Sequence, residues 1–411
     1  MVRTIALATI RVGRSHLLGM VAQVLGAAPV IAVSIYLSHA VGLAAVADYA
    51  VLIGVSAVAF TLGLVGLRSR LVIDQFRVFT EDDYYVLRII GTGVLTLVIL
   101  AAGLMLGAPP MLTLAVALMR AGDAALDLLM AVDQVRRDDR RHMYGYINGA
   151  SVKLVLLVAL LALAEITHLL TPFAAFALAS ALGAIYAWAL FLGRRESSGT
   201  PISRGGGGRV FQLLRYSVVF AVAQILCALL TSAPRVFLTA NTDRELAGAA
   251  GAALSVATLI GMSYFAVWLR WAPRFGKEGV RFRSAVIFFA ELSIAMLLML
   301  GTIWLTGRQA MALVYGISAP EHLEMTLWTL LSCTVFFFTM TFANLFKATR
   351  LPWAESAIHA GGLGAIWLAF TLRPGLSIPT LILIGSLGVA TVGILSLMAL
   401  LRRRRKSERD A

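Results

Sequence analysis

Charged side chains are scarce in this chain, 14% of 411 residues, where an ordinary soluble domain carries about 25%. With 60% hydrophobic residues and a mean hydropathy of +0.87, a soluble globular fold is excluded. Cysteine is nearly absent. Cys227 and Cys333 both fall inside apolar stretches, so neither a disulfide framework nor a cysteine metal site is implied, and small packing residues are the default. No nucleotide-binding motif is present. The one glycine run, Gly205 to Gly208, has no strand before it and no Lys-Ser/Thr after it, so it is not a phosphate-cradling loop. Nor is there a large loop on the side opposite the basic segments. The longest such connection runs from Thr306 to Glu324, and its Glu321, His322 and Glu324 read as solvated residues near a helix start. Glu81-Asp82-Asp83 and Asp138-Asp139 sit in short basic loops, where they balance charge and are no metal motif. No cofactor or metal is expected.

What fills the chain instead is apolar sequence. A spanning helix needs about 20 mostly apolar residues. Twelve such segments can be drawn, at 18–38, 46–67, 89–107, 110–132, 145–165, 172–193, 212–234, 247–269, 285–306, 325–346, 355–372 and 378–400. The eleventh is rich in glycine (Gly361, Gly362, Gly364), and the seventh can run past Pro234. The first fifteen residues, with Arg3, Arg11 and Arg14, read as an amphipathic lead-in at the membrane surface. Without a clear cleavage site the first span is read as retained.

Basic residues set the orientation. Of 35 Lys and Arg, 29 fall in the N-terminus, the C-terminus and alternate connections. Only Arg235, Arg244, Arg308 and Arg373 fall on the other side, and Arg120 and Lys153 lie within spans. The positive-inside rule then puts both termini in the cytoplasm; the excess of Arg over Lys hints at a GC-rich bacterium, whose inner (plasma) membrane is then the expected location. The net charge of +14 reports topology and contact with anionic membrane lipids, with no nucleic-acid partner expected, because the arginines are scattered over many loops.

The polar stretch Arg194 to Arg209 divides the spans six and six. The expected organisation is a six-helix bundle over 1–193, a cytoplasmic linker over 194–211, a second six-helix bundle over 212–401 and a basic tail over 402–411. The fold class is all-α, polytopic, with about twelve transmembrane helices in two bundles. Val21-Ala-Gln23-Val-Leu25 and Val222-Ala-Gln224-Ile-Leu226 match at an offset of 201, as do Tyr36-Leu37-Ser38 and Phe237-Leu238-Thr239. Read as a repeat, the halves are parallel and related by an axis along the membrane normal. Gln23 and Gln224 then serve as interhelical glue or as cavity-lining donors.

Charges inside spans are the candidates for a site. Arg120 falls near the centre of the fourth span, where an arginine costs about 2.5 to 3.5 kcal/mol on insertion scales and so must face the bundle interior. Asp123 and Asp127 follow at i+3 and i+7, on one helical face. Lys153 lies about 10 Å into the fifth span, at a depth similar to that of Asp127. Two readings stay open. In one, Asp127 neutralises Lys153 and Asp123 neutralises Arg120, holding helices together; in the other, the network lines a cavity and Arg120 meets an anionic substrate. Arg235, after Pro234, is either aimed inward by a kink or a snorkelling interfacial residue. Glu291 and His359 could titrate in an ion-coupled cycle or make packing hydrogen bonds.

The two sixes of helices, the middle linker, the small-residue turn into Asp48-Tyr49-Ala50, Arg235 followed by a turn into Ala247-Gly248-Ala249, and Phe342-Ala-Asn-Leu-Phe-Lys347 with Arg350 resemble the polysaccharide-exporter (O-antigen flippase) family. That family belongs to the multidrug, oligosaccharidyl-lipid and polysaccharide exporter superfamily. The chain departs in carrying Ala233-Pro234-Arg235 where many relatives show an Asp-Arg pair. The resemblance implies a flippase, not an enzyme, that turns a polyprenyl-pyrophosphate-linked oligosaccharide across the membrane by alternating access, alongside polysaccharide assembly enzymes. Arg120 and Arg235 would contact phosphate, Lys153 would add charge, and Asp123 and Asp127 would tune them. The alternatives are an ion-coupled exporter of small drugs and a membrane-embedded glycosyltransferase or polymerase, a class that usually carries the large external loop missing here.

Overall fold

The computed structural model describes residues 21, 24–64, 66–67, 70–71, 78–135, 141–196, 207–240, 243–278, 282–348 and 352–410. Among them every regular element is a helix. In chain order these are α1 (Val24–Ala40), α2 (Leu43–Leu64), α3 (Glu81–Met105), α4 (Pro110–Val135), α5 (Arg141–Thr167), α6 (Pro172–Glu196), α7 (Gly207–Val236), a short 3-10 turn (Phe237–Ala240), α8 (Arg244–Glu278), α9 (Phe282–Tyr315), α10 (Pro320–Ala348), α11 (Pro352–Leu372) and α12 (Ile378–Asp410). Each of the twelve helices overlaps one expected span. Eight are individually long and apolar enough to cross a bilayer, and α7 is a ninth if its two arms form one span. The chain is a multi-pass membrane protein. The amphipathic lead-in, most of the linker, Gln23 and Asp138-Asp139 lie outside the described residues.

Local chemistry explains where the helices start and stop. Four of them (α4, α6, α10, α11) open on proline, whose missing N–H costs nothing at a first helical position. At the start of α3 a capping box holds the chain: the Thr80 hydroxyl accepts from the Asp83 N–H, and the Asp83 carboxylate accepts from the Thr80 N–H at 2.9 Å. Two unpaired helix-end donors are thereby satisfied. Glu81-Asp82-Asp83 thus starts a helix, a more specific role than balancing loop charge, and Arg209 lies 3.8 Å from the Asp83 carboxylate. The turn from α3 to α4 closes on Gly107 at φ 65°, with Ala108 donating to the Gly103 carbonyl, an ending that favours glycine.

The chain forms two compact units. Unit 1 is residues 1–41 and 52–225; unit 2 is residues 42–51 and 226–411. Both α2 and α7 therefore begin in one unit and end in the other. In unit 1, α4 packs against α3, α5 and α6; in unit 2, α10 packs against α8, α9, α11 and α12. The outermost helices show what surrounds them. Along α9, Ile294, Leu297, Leu298, Trp304 and Leu305 are exposed. Such a face is a liability in water and the normal surface in hydrocarbon. Glycine permits a close crossing in unit 2: a Cβ on Gly388 of α12 would stand 2.7 Å from the Gly361 carbonyl of α11. Glycines that lower the hydropathy of the eleventh span are what seats it, as small residues do between membrane helices.

Two connections differ from expectation. The long loop expected over Thr306 to Glu324 is mostly helix, because α9 continues to Tyr315 and α10 starts at Pro320. Four residues remain between them. His322, expected to be solvated, is buried in the first turn of α10.

Candidate functional site

The charges of unit 1 meet around α4. This helix is surrounded on most of its circumference, so that between Ala115 and Val132 the positions retaining access are Leu118, Arg120, Ala121, Asp123, Asp127 and Met130. Three of those six are charged. Were that stripe turned to lipid, each charge would cost about 2.5 to 3.5 kcal/mol, less what pairing among them recovers.

Asp123 stands at the centre of the cluster. Its Oδ1 accepts from Lys153 Nζ on α5, and its Oδ2 lies 3.4 Å from Arg120 Nη1. Lys153 also donates to the Met119 carbonyl at 3.4 Å and leaves 6% of its side chain exposed, against 17% for Arg120 and 28% for Asp123. Arg120 Nε donates to the Ser56 hydroxyl of α2 at 3.0 Å, and the guanidinium carbon sits 5.7 Å from the centre of the Phe60 ring. Two cations thus share one carboxylate. With all three ionised the group carries a formal charge of +1.

Asp127 does not pair with Lys153. Its carboxylate accepts from Arg88 Nη2 of α3 at 3.0 Å, and Arg88 is fully buried. The expected pairing fails because hydropathy places the start of the third span at residue 89, leaving Arg88 in a loop. The capping box starts α3 at Glu81, which carries Arg88 seven residues, about 10 Å, along the helix. Asp123, four residues nearer the start of α4, meets Lys153 in its place.

In unit 2, Arg235 occupies the last turn of α7, just after Pro234. It is buried, and its Nη2 donates to the Leu254 carbonyl of α8 at 2.8 Å. Leu254 lies ten residues past the start of α8, about 15 Å by helical rise. The Arg235 guanidinium is thus engaged with the backbone of a neighbouring helix of unit 2. Glu291 of α9 accepts from the Trp271 indole N–H of α8 at 2.8 Å, beside a cluster of Trp268, Phe275 and Phe288. His359 is buried in α11, and Gln224 is half-buried in α7. Ser56, Phe60 and Arg88 escaped the sequence reading; the only usable signal was Arg88, a basic residue directly abutting an apolar run.

Among the described residues no three His, Cys, Asp or Glu side chains gather as a metal site. A groove of about 580 Å³ lies between α3 and α6, lined by Ile89, Thr92, Gly93, Thr96, Leu97, Trp188 and Leu192. It is apolar and holds none of the clustered charges.

No protein-family model matches the sequence, and no curated protein matches it. Solved structures do share its fold. The MATE multidrug transporter DinF-BH aligns with a TM-score of 0.66 at 14% identity, over 95% of this chain and 94% of that one. An inward-facing multidrug resistance MATE family transporter of the MOP superfamily aligns with a TM-score of 0.57 at 15% identity, over 97% and 96%. The lipid II flippase MurJ, in an inward closed conformation, aligns with a TM-score of 0.52 at 12% identity, over 97% and 87%. The fold is that of the MATE and MurJ transporters.

Proposed function

We propose that this protein flips a polyprenyl-pyrophosphate-linked oligosaccharide from the inner to the outer leaflet of a bacterial inner membrane, with both termini cytoplasmic, supplying surface polysaccharide assembly. The observation that carries the reading is the Arg120–Asp123–Lys153 group, a formal surplus of one positive charge on the accessible face of the central helix of unit 1. A pyrophosphate entering the span loses hydration that only fixed positive charge can replace. Arg120 is the contact residue, since its fork suits phosphate oxygens. Lys153, more deeply buried, adds to the local field, and Asp123 holds the two cations in place. Asp127 acts at one remove by fixing Arg88. Arg235 supplies a second, buried positive charge in unit 2. Glu291 and His359 are the candidates for ion coupling. No bond is made or broken.

The likeness to MATE multidrug transporters favours a second reading, an ion-coupled exporter of small drugs. A surplus of positive charge argues against cationic cargo. Purified protein in lipid nanodiscs separates the two: geranyl pyrophosphate should bind and lose affinity in Arg120→Ala, and the lipophilic cation tetraphenylphosphonium should not compete. Binding of tetraphenylphosphonium that is indifferent to Arg120, with no pyrophosphate binding, establishes the drug exporter instead.

A further inference from the structure

Arg120 is held on one side and open on the other. Its Nε is fixed at 3.0 Å by Ser56, while Nη1 reaches Asp123 only at 3.4 Å, beyond the usual range for such a bond. Nη2 has no protein partner among the described residues. The strong partner of Asp123 is Lys153, so an incoming anion can take the Nη1–Nη2 edge of Arg120 and leave the Lys153–Asp123 pair in place. What keeps that edge in one orientation is the Ser56 hydroxyl. It donates its own hydrogen to the Ile53 carbonyl at 2.9 Å, which leaves its lone pairs for Arg120 Nε.

The helix that carries Ser56 is not held by unit 1 alone. Residues 42–51 of α2 belong to unit 2. There Asp48 pairs with Arg244, and a Cβ on Gly251 of α8 would stand 2.9 Å from the Ala50 side chain. Ser56 lies eight residues beyond Asp48 on the same continuous helix, about 12 Å by helical rise.

We propose that Ser56 is the positioning residue for Arg120, and that α2, anchored in unit 2 through Asp48 and Arg244, sets whether the open edge of Arg120 is presented to a phosphate group. The inference rests on the phosphate-binding reading of the same cluster. Losing one hydrogen bond to a charged group weakens binding by about tenfold or more.

The test uses the full chain in nanodiscs with geranyl pyrophosphate as probe, read by calorimetry, with thermal melting to show that each variant is folded. Ser56→Ala should weaken binding about tenfold, and Ser56→Thr, which keeps the hydroxyl, should restore it. In an Arg120→Lys background Ser56→Ala should have no further effect, since lysine offers no Nε for it to hold. Arg244→Gln should weaken binding in the wild-type background and do nothing more in Ser56→Ala. Wild-type affinity in Ser56→Ala, or an equal loss with and without Arg120, overturns the role of Ser56. An Arg244→Gln effect that persists undiminished in Ser56→Ala overturns transmission through α2. If the folded wild type binds no geranyl pyrophosphate, the phosphate reading falls and this inference falls with it. If the wild type binds and Arg120→Ala does not, while Ser56→Ala binds normally, only this inference is lost.

Discussion

Two cations sharing one carboxylate should respond unequally to loss of their members. Removing Asp123 as Asn leaves Arg120 and Lys153 with like charge, and Lys153 has only 6% of its side chain exposed. Breaking a buried pair from one side costs about 3 to 5 kcal/mol, and the 28% exposure of Asp123 places the loss near 3 kcal/mol, because solvent screens part of it. Removing Lys153 as Met is milder. The Arg120–Asp123 contact survives as a neutral pair, and the loss of the Lys153 bonds to Asp123 and to the Met119 carbonyl is offset in part because a nearly buried ammonium no longer has to be desolvated, leaving about 1 kcal/mol. The difference of about 2 kcal/mol is roughly a 30-fold change in the unfolding equilibrium. Because Lys153→Met removes the charge that Asp123→Asn strands, the double variant should lie within about 1 kcal/mol of Lys153→Met alone. Unfolding of the purified protein in mixed detergent micelles, titrated with SDS, measures all three. Lys153→Met proving as damaging as Asp123→Asn, or strict additivity in the double variant, would refute the shared-carboxylate arrangement.

Arg120→Ala should abolish surface glycan in cells that depend on this protein for export while leaving its membrane abundance near normal; Arg120→Lys should keep part of the activity, because charge remains but the two-point fork is lost. Normal export from Arg120→Ala removes the arginine from the substrate path. Asp127→Asn should lower abundance more than Asp82→Asn, since it takes the carboxylate from a fully buried Arg88; equal abundance by quantitative immunoblot counts against the pair. Gly388→Ala should destabilise by about 1 to 3 kcal/mol, as its methyl would meet the Gly361 carbonyl at 2.7 Å and the Ala365 side chain at 2.8 Å. Gly364→Ala, with nothing within 4 Å, should be neutral or stabilise by up to about 1 kcal/mol, and thermal melting distinguishes the two.

Hydropathy reads the middle of a span well and its ends poorly, and the errors fall where polar residues are helical. The third span begins eight residues earlier than its apolar run because Thr80 and Asp83 cap it, and the ninth runs on through Arg308 and Gln309 to Tyr315. Those extensions decide the chemistry, since one of them carries Arg88 into the bundle. Helical spacing put Arg120, Asp123 and Asp127 on one face of α4, but it cannot say which neighbour each residue meets. That depends on the relative height of α3 and α5 against α4, a property of packing. Ser56 was invisible for a different reason. One serine among many in apolar helices carries no sequence signal, and only its 3.0 Å contact with Arg120 marks it.

A fixed charge at mid-span needs a mount that keeps its geometry, because an arginine free to swing would find a carboxylate and neutralise itself. In unit 1 the mount is α4, enclosed by α3, α5 and α6, with Lys153 occupying the carboxylate that Arg120 would otherwise claim. A rigid mount alone, however, binds its anion equally well at every stage, and a carrier must let go. A ligand with equal affinity for two states shifts neither. On the proposed reading, release comes from a partner of Arg120 that is not part of the mount. Of its three partners, Asp123 lies on α4 itself, and Ser56 and Phe60 both lie on α2, the helix whose first turns are held by unit 2. On that proposal the stiff element fixes where the charge is, and the shared element sets whether it is offered.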